Sequence, residues 1–198
     1  MFTNAELKDQ AKQQISGNLG ILFLIYIIYM LIVLGCNAVP VAGSIASYVL
    51  APPLTFGLIA IYLGLTVGET PDVNRLFDGF KYFGTTIILQ LLMSVFILLW
   101  SMLLIVPGII KAYSYSMAFY ILVENPQMSA TEALDESKRI MKGNKMALFS
   151  LQLSFIGWIL LVGLTAGIAS IYVYPYMSAA TANFYNRIKA TSASYGAY

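Results

Sequence analysis

Apolar residues fall along this chain in six runs, separated by short clusters of polar and charged residues. The runs are Ile15 to Leu34, Ile45 to Val67, Thr85 to Val106, Ile109 to Val123, Met146 to Ala166 and Ile168 to Tyr185. A helix needs ~20 residues to cross a bilayer, and most of these runs come close to that length. The fourth and sixth are the weak ones. The fourth is short and holds Lys111, Tyr113, Ser114, Tyr115 and Ser116, and the sixth holds Pro175, Asn183 and several hydroxyls. Hydropathy alone leaves five or six crossings open.

Charge placement decides between them. With six crossings and the N-terminus inside, Lys8, Lys12, Arg75, Lys81, Lys138, Arg139, Lys142, Lys145, Arg187 and Lys189 share the cytoplasmic side, and Lys111 alone lies outside. Such asymmetry sets the orientation of membrane helices. Removing the fourth crossing would move the four basic residues that follow Glu124 to the outside and destroy it. The pattern predicts an all-α fold, a polytopic bundle of six transmembrane helices forming a single membrane domain over residues 1-198, with both termini cytoplasmic. The outer connections, around Asn37 to Ser44 and around Gly167, are short and uncharged.

Each helical hairpin is preceded by a short amphipathic segment with its own start signal. Thr3 with Glu6 forms a capping box, and Phe2 and Leu7 occupy the positions of a hydrophobic staple. Thr70-Pro71-Asp72 reads as an N-cap, a proline in the first turn and an acid on the positive dipole end. Val73, Leu76, Phe77 and Phe80 then recur at helical spacing. Ser129 with Glu132 is a second capping box, opening a helix whose Ala133, Leu134, Ile140 and Met141 are placed to lie against the membrane. The plan is three units, residues 3-67, 70-123 and 129-186, each a surface helix followed by a hairpin. At one constant offset, Glu6, Asp9, Lys12, Gly17-Asn18 and Leu22-Phe23 match Glu132, Asp135, Lys138, Gly143-Asn144 and Leu148-Phe149. Parallel repeats of this kind occur in membrane proteins, although any basic helix that leads into a membrane helix shares part of the pattern.

Composition narrows the function. The chain is 59% hydrophobic and 10% charged over 198 residues, against about 25% charged in an ordinary soluble domain. A net charge of +2 without a long basic stretch leaves no nucleic-acid footprint. Histidine is absent, which removes the commonest general base and metal ligand. The one cysteine, Cys36, cannot form an internal disulfide. Val33-Leu34-Gly35-Cys36 faintly resembles a lipoprotein processing site. The stretch before it carries Glu6 and Asp9 as well as Lys8 and Lys12, unlike a short basic leader, so a retained first helix is expected.

The stretch from Leu103 to Met117 around Val106-Pro107-Gly108-Ile109, the pair Glu132-Ala133, Ser137, Met141-Lys142-Gly143 and the run Leu153-Ser154-Phe155-Ile156-Gly157-Trp158 together resemble a bacterial family. It is the family of integral membrane proteins catalogued as domain of unknown function 975. The resemblance continues through Thr165-Ala166-Gly167-Ile168, Pro175-Tyr176, Phe184-Tyr185 and Gly17-Asn18. That family is distantly similar to the membrane domain of some glycerophosphodiester phosphodiesterases. The resemblance implies a bacterial plasma-membrane protein and supplies neither catalytic residues nor a substrate.

Candidate chemistry is sparse. All nine carboxylates fall at or beyond the cytoplasmic ends of the proposed helices, so no buried acid is available to relay protons. Lys111, near the outer end of the fourth helix, reads either as a snorkelling anchor or as an anion-binding lysine at a broken helix end. Tyr113, Tyr115, Tyr172, Tyr174 and Tyr176 read either as an outer aromatic belt, with Trp100 below, or as the lining of a pocket for an amphipathic ligand. Gln90 and Gln152 are placed to hydrogen-bond across the bundle. Pro52, Pro53, Pro107 and Pro175 mark candidate helix breaks, either merely structural or opening backbone groups to a cavity. No nucleophile has a positioned base, and no phosphate loop or metal cluster is present. The expectation is a non-catalytic membrane protein without a cofactor that binds a protein, peptide or lipid partner in an envelope process. The alternative is a small transporter or lipid-handling protein.

Overall fold

The structure, a computed structural model, describes residues 3–37 and 42–195. It is helical: α1 (Asn4–Ser16), α2 (Leu19–Asn37), α3 (Ala42–Thr66), a 3-10 helix (Val73–Tyr82), α4 (Phe83–Leu103), α5 (Ile105–Tyr115), α6 (Ala118–Glu124), α7 (Ala130–Ile140), α8 (Lys145–Leu153), α9 (Ile156–Leu164) and α10 (Ser170–Tyr195). Five segments are long and apolar enough to cross a membrane: Leu19–Cys36, Ile45–Thr66, Val73–Leu103, Ile105–Glu124 and Lys145–Leu164. The connection expected around Asn37 to Ser44 falls at 38–41 outside the described residues, as does Phe2 of the expected staple.

Burial sorts these segments. The window in α3 is 67% buried and that of α5 with α6 is 50% buried, whereas those of α2, α4 and α8 with α9 are 17%, 11% and 17% buried. The core is built from the second half of α3, α6 and the second half of α10, with Leu54, Ile61, Leu122, Ala179, Phe184 and Ile188 at its centre. Around it the short helices lean inward. α1 packs on α10, the 3-10 helix on α3, and α7 on α4 and α6. In the same order α2 meets α10, α4 meets α3, and α8 meets α5.

Local chemistry starts each short helix. Both capping boxes form: the Thr3 side chain accepts from the Glu6 N–H while Glu6 accepts from the Thr3 N–H, and Ser129 and Glu132 do the same. The middle element differs from expectation. It is a 3-10 helix capped by Asp72, whose carboxylate accepts from the Asn74 N–H at 2.9 Å, and not an α-helix capped by Thr70. Asp is the better acceptor at such a position. With three residues per turn, positions i and i+3 eclipse. Phe77, Phe80 and Phe83 therefore form one exposed column, and Leu76, Gly79 and Tyr82 form another facing α3. The contact there is backbone on backbone. A Cβ on Gly57 would fall on the Leu76 carbonyl oxygen, and one on Gly79 on the Pro53 carbonyl oxygen.

Two further expectations change. The apolar face of α7 does not lie against lipid: Ala133, Leu134, Ile140 and Met141 are buried in protein. The helix folds back onto α4 and α6, which offer it an equally apolar surface. The breaks also lie elsewhere than the prolines. α3 runs through Pro52 and Pro53 and α10 runs through Pro175, as membrane helices tolerate. The hairpin between α4 and α5 turns on one extended residue, Leu104, and Pro107 sits in the first turn of α5, where its missing N–H lacks an intrahelical partner anyway. Proline-free breaks divide α5 from α6 at Ser116-Met117 and α8 from α9 at Ser154-Phe155.

Candidate functional site

α5 and α8 meet along Tyr113. Its hydroxyl donates to Gln152 Oε1 at 2.6 Å, and its ring stands edge-on to Phe149 with centroids 6.1 Å apart. Tyr113 is thus fixed at both ends between two helices. Two cavities share it. One, of about 270 Å3, is lined by Ala112, Tyr113, Ser116 and Gln152. The other, of about 210 Å3, is lined by Ile109, Ile110, Tyr113, Lys145, Met146 and Phe149. The first presents the amide nitrogen of Gln152, whose oxygen is taken by Tyr113. The second presents an apolar wall that includes the carbon stem of Lys145. Side by side they form a lateral cleft with a polar end and an apolar end, which is the chemistry an amphipathic ligand matches.

The other predicted residues separate into groups. Tyr115 is buried beside Phe96, centroids 6.1 Å apart, with the Lys138 ammonium 5.7 Å from its ring centroid. It is set inside the protein, because α7 folds back and brings Lys138 to it. Tyr172 and Tyr176 stack around Trp158, and Tyr176 also meets Phe155. Tyr174 pairs instead with Tyr26 across α2. The five tyrosines therefore fall into separate groups. Lys111 sits over the Trp100 ring at 4.6 Å, a cation–π contact across the hairpin of α4 and α5. Gln90 donates within its own helix to Ser94 at 3.3 Å, whereas Gln152 bridges two helices through the Tyr113 hydroxyl. Pro52, Pro53, Pro107 and Pro175 line neither cavity of the cleft. Among the described residues no cluster of His, Cys, Asp or Glu has the makings of a metal site.

Sequence reasoning missed a set of polar residues that distant parts of the chain bring together. Gln14 on α1 and Asn183 on α10 exchange two amide hydrogen bonds, at 3.0 and 2.9 Å. Asn186 donates to Thr66 Oγ1 at 2.7 Å. With Gln10, Gln13 and Arg187 these residues line a cleft of about 300 Å3 between α1, α3 and α10. Glu124 Oε2 accepts from both the Tyr185 hydroxyl and the Lys189 ammonium at 2.6 Å. The partners lie more than 60 positions apart, and no local periodicity reports such pairings.

A model of the family described as Protein of unknown function (DUF975) matches residues 1–114 and 102–192. No curated protein and no solved structure matches the chain.

Proposed function

The chain belongs to the DUF975 family of proteins of unknown function, and on its own geometry we propose that it is a non-catalytic, multi-pass protein of the bacterial plasma membrane that binds a lipid or other amphipathic partner. The lateral cleft between α5 and α8 carries the reading. An apolar wall of Ile109, Ile110, Met146, Phe149 and the carbon stem of Lys145 suits an acyl chain or apolar side chain. Each cavity is smaller than the ~300 Å3 at which small-molecule pockets usually begin, so a segment of a chain fits better than a whole compact molecule.

In this reading α10, 26 residues long, is the sixth crossing, and both ends face the cytoplasm. At 1.5 Å per residue its length of roughly 39 Å exceeds the ~30 Å hydrocarbon core. The packing also favours three related units. Each short helix leans on a late helix of the preceding unit, and the first leans on the last, α10. Three parallel repeats around an axis along the membrane normal would pack in that cyclic order. Asn18 and Asn144, matched by the repeat offset, each donate to the carbonyl four residues back, Gln14 and Ile140.

A photo-crosslinking residue at Phe149, compared with one at the exposed Leu98 of α4, tests the cleft in cells. Phe149 should capture a restricted set of lipids or one protein. Identical captures at the two positions would mean that the cleft sees only bulk membrane. A second reading, a small transporter or lipid-handling protein, draws on the polar cleft at Gln14 and Asn183. Uptake of a polar solute into proteoliposomes that Asn183→Leu abolishes would favour it.

A further inference from the structure

The turn between α7 and α8 opens another cavity, of about 470 Å3, that shares no lining residue with the lateral cleft. Arg139, Lys142 and Asn144 form one side, and Thr191 and Ser192 near the end of α10 form the other. Two cations line it and no carboxylate does. Neither cation is loosely presented. Arg139 gives Nε and Nη2 to Glu136 at 2.7 and 2.6 Å, which fixes the guanidinium plane and leaves Nη1 outside the pair. Lys142 forms no salt bridge among the described residues. It stands on a turn held by the Asn144 N–H to the Met141 carbonyl at 3.1 Å and by the Asn144 side chain to the Ile140 carbonyl at 2.8 Å. Gly143 occupies the left-handed region, φ 85°, which a side chain would disfavour. Ile140 and Met141 are buried and anchor the turn from below.

We infer that this cleft binds a phosphate group, with Lys142 and the outer edge of Arg139 supplying charge and the Ser192 hydroxyl turning from its own-helix carbonyl to donate. A fixed guanidinium edge beside an ammonium outside every salt bridge among the described residues, facing hydroxyls and no anion, suits a multivalent oxyanion better than a carboxylate. The same chemistry serves the headgroup of an anionic phospholipid and a soluble phosphate. The headgroup has position in its favour. Lys145, directly after the turn, lines the apolar lateral cleft with Met146 and Phe149, and basic pockets at the cytoplasmic side of membrane helices recurrently hold anionic headgroups. The inference stands apart from the lateral-cleft reading, since Arg139, Lys142 and Ser192 do not line that cleft.

The test uses the purified full-length chain in detergent. Native mass spectrometry measures retention of phosphatidylglycerol and of phosphatidylcholine, and calorimetry measures binding of inorganic phosphate. Phosphatidylglycerol should be retained over phosphatidylcholine, and the Arg139→Gln/Lys142→Gln variant should weaken this by roughly tenfold. Lys142→Gln alone, at an exposed side chain, should give part of that loss without disturbing the fold. Lys138→Gln removes a charge on the same helix that is engaged by Asp135 at 2.7 Å and lies outside the cleft, so it should change nothing. Binding of inorganic phosphate that the double variant loses, without a lipid preference, would support the site and assign it to a soluble phosphate. Three results would overturn the inference: neither probe binds, the double variant binds both probes like the natural sequence, or Lys138→Gln weakens binding as much as Lys142→Gln. Crosslinking from Phe149 should persist in these variants, so failure here is distinguishable from failure of the lateral cleft.

Discussion

The Ser137 hydroxyl donates to the Ser114 carbonyl oxygen at 2.8 Å and accepts from the Met117 N–H at 3.2 Å. Ser137 belongs to α7, whereas Ser114 and Met117 flank the break between α5 and α6. A broken helix within an apolar surrounding leaves backbone groups without partners, and water is not there to take them. A serine from a separate helix takes both. The break is therefore part of how α7 docks rather than a defect in a crossing.

Ser137→Ala should destabilise the protein by about 1–3 kcal/mol, because it strands a carbonyl and an N–H that are buried together. The measurement is thermal unfolding in detergent, with Ser129→Ala for comparison. Ser129 caps the exposed start of the same helix, where loss of a cap costs about 1 kcal/mol. Equal stability of Ser137→Ala and the natural sequence would show that the break satisfies itself.

Gly57→Ala and Gly79→Ala should each disrupt docking of the 3-10 helix on α3. The added methyl would meet a main-chain carbonyl in both cases, Leu76 in one and Pro53 in the other, and main chain yields less readily than a flexible side chain. Overpacking of this kind costs typically about 1–3 kcal/mol. Gly17→Ala and Gly157→Ala meet nothing within 4 Å and serve as controls. Size-exclusion profiles after mild heating should separate the first pair from the second. Indistinguishable profiles would mean that the 3-10 helix does not sit on α3 as described.

What the amino-acid order reveals here divides by distance along the chain. The apolar runs and the two capping boxes are local: the chain is helical with five segments apolar enough to cross a membrane, and both capping boxes form where i to i+3 chemistry placed them. The amphipathic face of α7 was legible as a face, but its occupant was not. Lipid and the sides of α4 and α6 are both apolar, and a hydrophobic stripe does not distinguish them. Gln152 was legible as a residue needing a partner across helices, and Tyr113 was not legible as that partner. The breaks at Ser116-Met117 and Ser154-Phe155 carry neither proline nor glycine. The prolines drew attention to α3 and α10, which stay helical through them.

Because its apolar residues face protein, α7 should be protected from hydrogen exchange equally in anionic and neutral nanodiscs over residues 130–140. Greater protection in the anionic lipid would restore membrane anchoring as its main role. Acid should loosen it in either lipid. Hydrogen bonds from the Ser129 side chain and backbone hold the Glu132 carboxyl below its usual value of 4.5, and the Arg139 guanidinium does the same for Glu136. A carboxyl lowered in the folded state stabilises above its unfolded value and loses that contribution as pH falls through the folded one. After correction for intrinsic exchange, protection should hold from pH 8 to about 5 and decline below about 4.5. A flat profile through acid would remove both carboxylates from the account.

The count of crossings turns on α10. Five segments qualify by length and apolarity, and α10 is set apart by Asn183, Asn186, Arg187 and Lys189 in its second half. Three of those residues nevertheless face partners: Asn183 meets Gln14, Asn186 meets Thr66, and Lys189 meets Glu124. Most of the polar half is thus accounted for by protein contacts with α1, α3 and α6, and the first half also packs Val173 and Tyr176 into the protein. Single cysteines in a background without Cys36 decide the matter. One at Ile168, exposed at the turn before α10, should react in intact cells with a membrane-impermeant thiol reagent if α10 is the sixth crossing. One at Lys142 or at Thr191 should react only after the membrane is opened. Labelling of Thr191→Cys from outside, with Lys142→Cys protected, would leave α10 on the outer side and reduce the bundle to five crossings.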